Sequence, residues 1–265
     1  MLNGLSFVNI ELSSKCNKNC WICGRRKYSA EYQDDHFNQF IDLNLLNLIK
    51  KQIPTEIPVA FHSNGEPTLH PELGSCLKMF ENNIRVLDTN GKMLIEKADQ
   101  IINNLETITI SIFEKDPEWL QQWEILKEFI KIKGERKPRI ILRCLGNIEK
   151  ERMDLYESTG LLIAKRILHS PKGSFNYQNK VTIPEIGICL EVLSKLVIDV
   201  NGNVRSCVRF DPNGEFIIGN IKNQTLDQIW NSEERKKLIK LHVDGQRDQI
   251  KFCSKCQYWG CPTGN

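Results

Sequence analysis

The feature that most constrains the fold is an alternation of short apolar runs with longer segments of helical periodicity. Six strand-like runs occupy residues 6–12, 58–62, 84–88, 107–113, 139–145 and 161–169. Five helix-like segments separate them, at residues 43–52, 71–82, 94–103, 117–133 and 149–158. Strands that alternate with helices of this length pair in parallel through right-handed crossovers. Six units are too few to close an eight-unit barrel, so the pattern predicts an α/β fold with a partial (β/α)6 barrel.

The alternation ends near Ser170. Turn-forming residues dominate 171–187, which reads as a linker. Residues 197–200 and 203–205 then flank Asn201-Gly202, a pair that strongly favours the turn of a β-hairpin. One charged helix is expected at about 225–242. We therefore predict a barrel domain at residues 1–170 and a small C-terminal domain at 171–265.

A first group of cysteines, Cys16, Cys20 and Cys23, follows the first strand in a CxxxCxxC run. Three thiolates on one loop can bind three irons of a 4Fe-4S cubane and leave the fourth iron open to a small ligand. A zinc site would need a fourth ligand close by, and the neighbouring sequence offers none. The chemistry of such sheets gathers at the carboxyl ends of the strands. The run therefore predicts an iron-sulfur centre at the mouth of the barrel.

A second group of cysteines lies in the C-terminal segment and comprises Cys189, Cys207, Cys253, Cys256 and Cys261. Four of these residues can enclose a second cluster with every corner filled. A zinc ribbon uses similar spacing, so spacing alone leaves zinc as an alternative. Cys76 and Cys144 fall on a predicted helix and a predicted strand, where we expect them to be small core residues.

Charge and hydropathy exclude several classes of partner. The net charge is +3, from 36 basic and 33 acidic residues, which predicts no binding to nucleic acid or to a membrane surface. The chain shows no secretory signal and no apolar stretch long enough to span a bilayer. We therefore expect a cytoplasmic protein, in which clustered cysteines are metal ligands or catalytic thiols more often than disulfides.

With Cys16, Cys20 and Cys23 as its signature, the chain resembles the radical S-adenosylmethionine superfamily. The resemblance implies that the open iron binds the amino and carboxylate groups of S-adenosyl-L-methionine. It also assigns contacts with this cosubstrate to Gly65, Glu66, Pro67, Asn90, Ser111 and Arg143. Each assignment has a structural alternative, because Gly-Glu-Pro and Asn-Gly sequences are common turns and Arg143 can be a solvated strand residue.

The C-terminal segment resembles the SPASM domain and its reduced form, Twitch. Besides the cysteines, Gly219-Asn220-Ile221 and residues 226–232 carry this resemblance. It implies an auxiliary 4Fe-4S cluster bound by Cys189, Cys207, Cys253 and Cys256, with spacing similar to that of aminocyclitol dehydrogenases. Cys261 is then an additional thiol, and Lys172 occupies the place of a residue that contacts substrate in such dehydrogenases.

The resemblance implies that a 5′-deoxyadenosyl radical removes hydrogen from a substrate carbon. Only fifteen residues precede Cys16, whereas peptide-modifying members often carry a leader-binding domain there. A small sugar-like or polyol substrate is therefore favoured, with a peptide as the alternative. The substrate radical can lose a proton to Lys172 and an electron to the auxiliary cluster, or take a hydrogen atom from Cys261. A non-enzymatic iron-sulfur or zinc module is a third hypothesis.

Basic residues crowd the first cysteine loop, at Lys15, Lys18, Arg25, Arg26 and Lys27. One interpretation is a solvated charged loop. The other is a docking site for an acidic flavodoxin or ferredoxin that delivers the electron. His62 follows the second predicted strand, and we expect it to point toward the same site.

Overall fold

The computed structural model describes residues 2–25, 37–166, 188–211, 213–254 and 256. The strands are Phe7–Ile10 (β1), Val59–Phe61 (β2), Arg85–Thr89 (β3), Thr107–Phe113 (β4), Arg139–Leu145 (β5), Leu162–Arg166 (β6), Lys195–Ile198 (β7), Asn203–Arg205 (β8) and Ile217–Asn220 (β9). The α-helices are Leu43–Lys50 (α1), Leu73–Met79 (α2), Ala98–Ile101 (α3), Trp119–Lys133 (α4), Lys150–Glu157 (α5), Leu190–Ser194 (α6), Leu226–Trp230 (α7) and Glu233–Val243 (α8). Over the described ranges, these strands form one sheet in the order β6-β5-β4-β3-β2-β1-β7-β8-β9.

The first six strands pair in parallel with their neighbours, which confirms the predicted α/β architecture. The bounds of β4 and β5 coincide with the prediction. The helices predicted at 71–82 and 94–103 are shorter, and α3 has only four residues. It ends where Ile102 becomes extended and Asn103 takes a positive φ of 66°. No helix in the described part of the chain is long and apolar enough to cross a membrane.

The two faces of the sheet differ in chemistry. In β4, Ile108, Ile110 and Ile112 are buried in the apolar core that packs against the helices. Because successive side chains of a strand alternate between faces, Thr109 and Ser111 lie on the other face, toward the barrel interior. The same core contains Cys76 and Cys144, both almost fully buried, which confirms them as core residues.

The C-terminal segment continues the barrel sheet. β7 pairs in parallel with β1, from Phe7 opposite Lys195 to Ile10 opposite Ile198. β8 then pairs antiparallel with β7 through a turn in which Gly202 has a φ of 83°, so the predicted hairpin is confirmed. The single helix predicted at about 225–242 is wrong, because the chain breaks between α7 and α8. Ser232 is extended there and caps α8 by accepting a hydrogen bond from the amide of Arg235.

Candidate active site

The first cysteine group lies on the loop after β1, as predicted. The amide of Cys23 donates to the carbonyl of Cys20 at 3.0 Å. Burial is the main cause that raises the pKa of Cys16 and of Cys20, neighbouring thiols contribute to both shifts, and the pKa of Cys20 reaches about 12. The three thiols are therefore close enough to interact. Because burial disfavours the ionised forms of Cys16 and Cys20, a bound cation is what would hold these two as thiolates, and the group fits an iron-sulfur cluster.

The described residues include no group of three or more His, Cys, Asp or Glu side chains arranged around a single metal ion. A single zinc ion needs four ligands that converge on one point. In a cubane, each thiolate binds a different iron, so the sulfurs stand farther apart. Metal analysis of the protein decides between a cluster and the zinc alternative.

The segment after β2 packs directly against the cysteine loop. The amide of Glu66 donates to the carbonyl of Lys15 at 2.6 Å. A Cβ atom on Gly65 would lie 1.9 Å from the carbonyl oxygen of Ser13 and 2.6 Å from that of Lys15. Any side chain at this position would displace backbone, so the sequence needs glycine here. Pro67 then starts a short 3-10 helix, Pro67–Leu69.

The carboxylate of Glu66 is 2% exposed and joins the ends of two strands. Its Oε1 accepts hydrogen bonds from the Thr68 hydroxyl at 2.6 Å and the Thr89 hydroxyl at 2.7 Å. Its Oε2 accepts from the amide of Asn90 at 2.7 Å. Burial raises the pKa of Glu66, and these hydrogen bonds oppose that rise. Glu66 thus has a structural role, and its contact with the cosubstrate stays a prediction.

Asn90 connects the end of β3 to the cysteine loop. Its side-chain amide donates to Oδ1 of Asn17 at 2.8 Å and lies 3.9 Å from Sγ of Cys16. The side chain of Gln122 donates to the carbonyls of both Asn90 and Ser111. The structure therefore brings Asn90 next to the first cysteine, as its predicted role requires.

A charged group occupies the interior face near the carboxyl ends of β2, β3 and β5. Nη1 of Arg143 donates to Oδ2 of Asp88 at 2.5 Å. Nδ1 of His62 lies 3.8 Å from the same oxygen. Burial would raise the pKa of Asp88, but His62 and Arg143 hold it below its usual range. Sequence reasoning missed Asp88, although an acidic residue near the end of an apolar strand was a signal for it.

Part of the predicted basic docking surface is engaged within the protein. Nζ of Lys18 lies 2.6 Å from Oδ2 of Asp116, and the two side chains are 2% and 0% exposed. Arg25 donates to the carbonyl of Phe37 at 2.7 Å. The expectation that Lys18 presents an exposed charge is therefore wrong, because a buried lysine needs a buried partner. Arg26 and Lys27 lie outside the described residues.

The second cysteine group comes together from three parts of the chain. Cys189, Cys207 and Cys253 are buried in one apolar cluster that also contains Phe216 and Phe252. The side chain of Arg247 donates to the carbonyls of Cys253 and Cys256, at 2.9 and 3.0 Å, and so holds these two cysteines side by side. Burial raises the pKa of Cys207, which again favours a cationic ligand. Lys172 and Cys261 lie outside the described residues.

Comparisons with known proteins concern the fold and the C-terminal domain. Residues 189–257 match SPASM, an iron-sulfur cluster-binding domain. The S-adenosyl-L-methionine-dependent 2-deoxy-scyllo-inosamine dehydrogenase of Niallia circulans is 24% identical over 263 residues, which cover 95% of this chain and 92% of that protein. The crystal structure of BtrN in complex with AdoMet and 2-DOIA has a TM-score of 0.62 at 19% identity, covering 98% of this chain and 96% of that one. Streptococcus suis SuiB bound to precursor peptide SuiA has a TM-score of 0.64 at 13% identity, covering 86% and 65%.

These matches agree with the predicted resemblance to radical S-adenosylmethionine enzymes, and they place a SPASM iron-sulfur domain at residues 189–257. The hypothesis of a non-enzymatic module is thereby set aside. Over nearly its whole length, the chain is similar to the 2-deoxy-scyllo-inosamine dehydrogenase, an oxidoreductase.

Proposed function

We propose that this enzyme dehydrogenates a small sugar-like substrate of the aminocyclitol class. The observation that carries the proposal is the polar lining of the barrel interior. Asn9, in β1, lies between the core residues Val8 and Ile10 and therefore points to the interior face. Arg205, in β8, lies opposite Val197, which in turn lies opposite Asn9. One row across the sheet thus presents an amide and a guanidinium to the interior.

Two polar atoms of this row have no hydrogen-bond partner within the described part of the protein. Among the described residues, Oδ1 of Asn9 and Nε of Arg205 are buried without a hydrogen-bond partner. Leaving such an atom unpaired costs about 1–3 kcal/mol. A polyhydroxylated ring with an amino group offers both donors and acceptors to such atoms. An apolar substrate would leave them unpaired, so the lining favours a polyol or aminocyclitol.

We assign a role in the reaction to each group of residues in the site. When bound, the first cluster and S-adenosyl-L-methionine supply a 5′-deoxyadenosyl radical, and the auxiliary cluster supplies an electron acceptor. We assign the contacts with the cosubstrate to Gly65, Glu66, Pro67, Asn90, Ser111 and Arg143. Cys16, Cys20 and Cys23 bind the first cluster, and Cys189, Cys207, Cys253 and Cys256 bind the second. Lys172 is a candidate base and Cys261 a candidate hydrogen donor.

One turnover in heavy water tests the reaction. With 2-deoxy-scyllo-inosamine as the trial substrate, we expect a product two hydrogens lighter that carries no solvent deuterium. The reason is that the oxidised carbon receives no hydrogen back. An isomeric product that carries deuterium, and that is lost in Cys261→Ala, would show epimerisation and contradict the proposal. Wild type incubated without substrate controls for abortive formation of 5′-deoxyadenosine.

One observation supports the alternative of a peptide substrate: the fold is similar to that of SuiB bound to its precursor peptide. At 13% identity that likeness concerns the fold alone. We therefore rank it second, and peptide products in the same mass-spectrometric assay would favour it. We further infer a cytoplasmic enzyme, a flavodoxin or ferredoxin as the reductant, and a domain boundary near residue 170, ahead of the SPASM match at 189–257.

A further inference from the structure

We propose that His62 is the general base that takes the hydroxyl proton from the substrate during its oxidation. The inference rests on the dehydrogenation proposed above and names a residue for the proton step. The sequence predicts Lys172 as a base, but Lys172 lies outside the described residues. The contacts of His62 lie within them and favour His62 for this role.

His62 lies at the point where the barrel interior opens. Its amide donates to the carbonyl of Ile10 at 3.2 Å, which continues the pairing of β2 with β1 by one residue. The preceding residue, Phe61, is fully buried in the core, so His62 lies on the interior face. The side chain is 33% exposed, and its Nδ1 lies 3.8 Å from the carboxylate of Asp88. A ring that lies near a buried carboxylate on one side and is open on the other suits proton transfer.

Four charged groups from different parts of the chain act electrostatically on His62. They are Asp88 of β3, Arg143 of β5, Glu191 of α6 and Arg209, which follows β8. Burial lowers the pKa of His62, Arg143 and Arg209 lower it further, and Asp88 and Glu191 oppose them. The imidazole is therefore neutral at neutral pH and can accept a proton.

The position of His62 also couples it to the second cysteine group. Glu191 follows Cys189 by two residues, and Arg209 follows Cys207 by two residues. The amide of Arg209 donates a hydrogen bond to Sγ of Cys207 at 3.4 Å. Residues next to two cysteines of the proposed electron acceptor therefore lie within electrostatic range of His62.

The 5′-deoxyadenosyl radical takes one hydrogen atom from the carbinol carbon, and that hydrogen ends in 5′-deoxyadenosine. The substrate radical then transfers its hydroxyl proton to His62 and one electron to the auxiliary iron-sulfur cluster, and the carbon-oxygen double bond forms. The substrate thus loses two hydrogens, and the cluster is reduced by one electron.

The test uses the full-length enzyme with both clusters and 2-deoxy-scyllo-inosamine that carries deuterium on the carbons bearing hydroxyl groups. In His62→Gln, we expect product to fall about 100-fold or more, since general bases contribute at least that much. Deuterium should still appear in 5′-deoxyadenosine, because hydrogen abstraction precedes the proton step. In wild type, product formation should fall as the pH drops below the lowered pKa of His62, and this acid limb should be absent from the variant.

Two further variants separate a catalytic from a structural role. Asp88→Asn removes a charge that raises the pKa of His62, so the acid limb should move to lower pH. Added imidazole should restore part of the product formation in His62→Ala. Iron content and cleavage of the cosubstrate in each variant report whether the site has folded.

Three results would overturn the role of His62 as the base, and each differs in product formation or in deuterium transfer. If wild type transfers deuterium but His62→Gln forms product at the same rate with the same acid limb, the role of His62 is wrong and dehydrogenation stands. If His62→Gln loses deuterium transfer as well, His62 acts before the proton step and the inference is overturned. If wild type transfers no deuterium, the proposed function fails and this inference fails with it.

Discussion

Gly65 shows how tightly single residues near the first cysteine group are constrained. Its missing side chain lets the segment after β2 approach the backbone of Ser13 and Lys15. In Gly65→Ala, the Cβ atom would collide with these carbonyl oxygens, so the cysteine loop must shift. We expect the reconstituted variant to lose the iron of the first cluster, which is about half of the total, while retaining the auxiliary cluster. Iron analysis with electron paramagnetic resonance measures this.

Gly74→Ala is the matched control. A Cβ atom there would meet its nearest neighbour, the flexible side chain of Gln100, at 3.4 Å. Gly74 lies within α2, where alanine is a better helix former by about 1 kcal/mol. Full iron content in both variants would mean that the close approach at Gly65 does not position the cluster loop.

The hydrogen bonds that the Glu66 carboxylate accepts lead to a second prediction. In Glu66→Gln, an amide nitrogen must face at least one donor that the carboxylate now accepts, such as the amide of Asn90. We expect the free energy of unfolding to fall by about 1–3 kcal/mol without any cosubstrate. Denaturation of the anaerobic protein checks this, with exposed Glu56→Gln as a control expected within about 0.5 kcal/mol. Equal stability of Glu66→Gln and wild type would contradict the structural role.

Among the elements, the cysteine loop and the segment between β4 and α4 are joined by the buried ion pair of Lys18 and Asp116. Removing Asp116 leaves the buried Lys18 with the more distant and partly exposed carboxylate of Glu118, whose Oε2 lies 3.9 Å from Nζ. We expect Asp116→Ala to lower the free energy of unfolding by about 3 kcal/mol, the low end for a broken buried pair, as measured by denaturant titration.

Glu233→Ala provides the comparison for this ion pair. Glu233 pairs with Lys236 on α8, where the two side chains are 84% and 59% exposed. An exposed pair contributes about 1 kcal/mol or less. A similar loss in both variants would contradict the account of a buried, loop-fixing pair.

Elements with strong local signals were predictable from the sequence. β4 and β5 matched their predicted bounds because buried isoleucines alternate along β4 and the strand residues favour extended backbone. The break between α7 and α8 was missed because the charged pattern continues through it. There, Ser232 prefers to cap a new helix rather than continue the old one. Local capping chemistry outweighed the periodicity.

At the scale of the whole molecule, contacts between distant residues were the hardest to predict. The pairing of β7 with β1 joins residues almost 190 positions apart, such as Phe7 and Lys195, and no local pattern encodes it. The same holds for the group of His62, Asp88 and Arg143, which depends on the order of β2, β3 and β5 in the sheet. For the first cysteine group, the spacing along the chain by itself predicts an iron-sulfur site, and this stays a prediction.

The central claim is that Cys16, Cys20 and Cys23 bind the cluster that cleaves S-adenosyl-L-methionine, while the C-terminal cysteines bind a second one. The most direct measurement is the iron content and 5′-deoxyadenosine production of anaerobically reconstituted wild type and of the variant with all three cysteines replaced by alanine. We predict about eight irons in wild type, about four in the variant, and no 5′-deoxyadenosine from the variant. Zinc in the C-terminal site of wild type, or cleavage that survives in the variant, would contradict the claim.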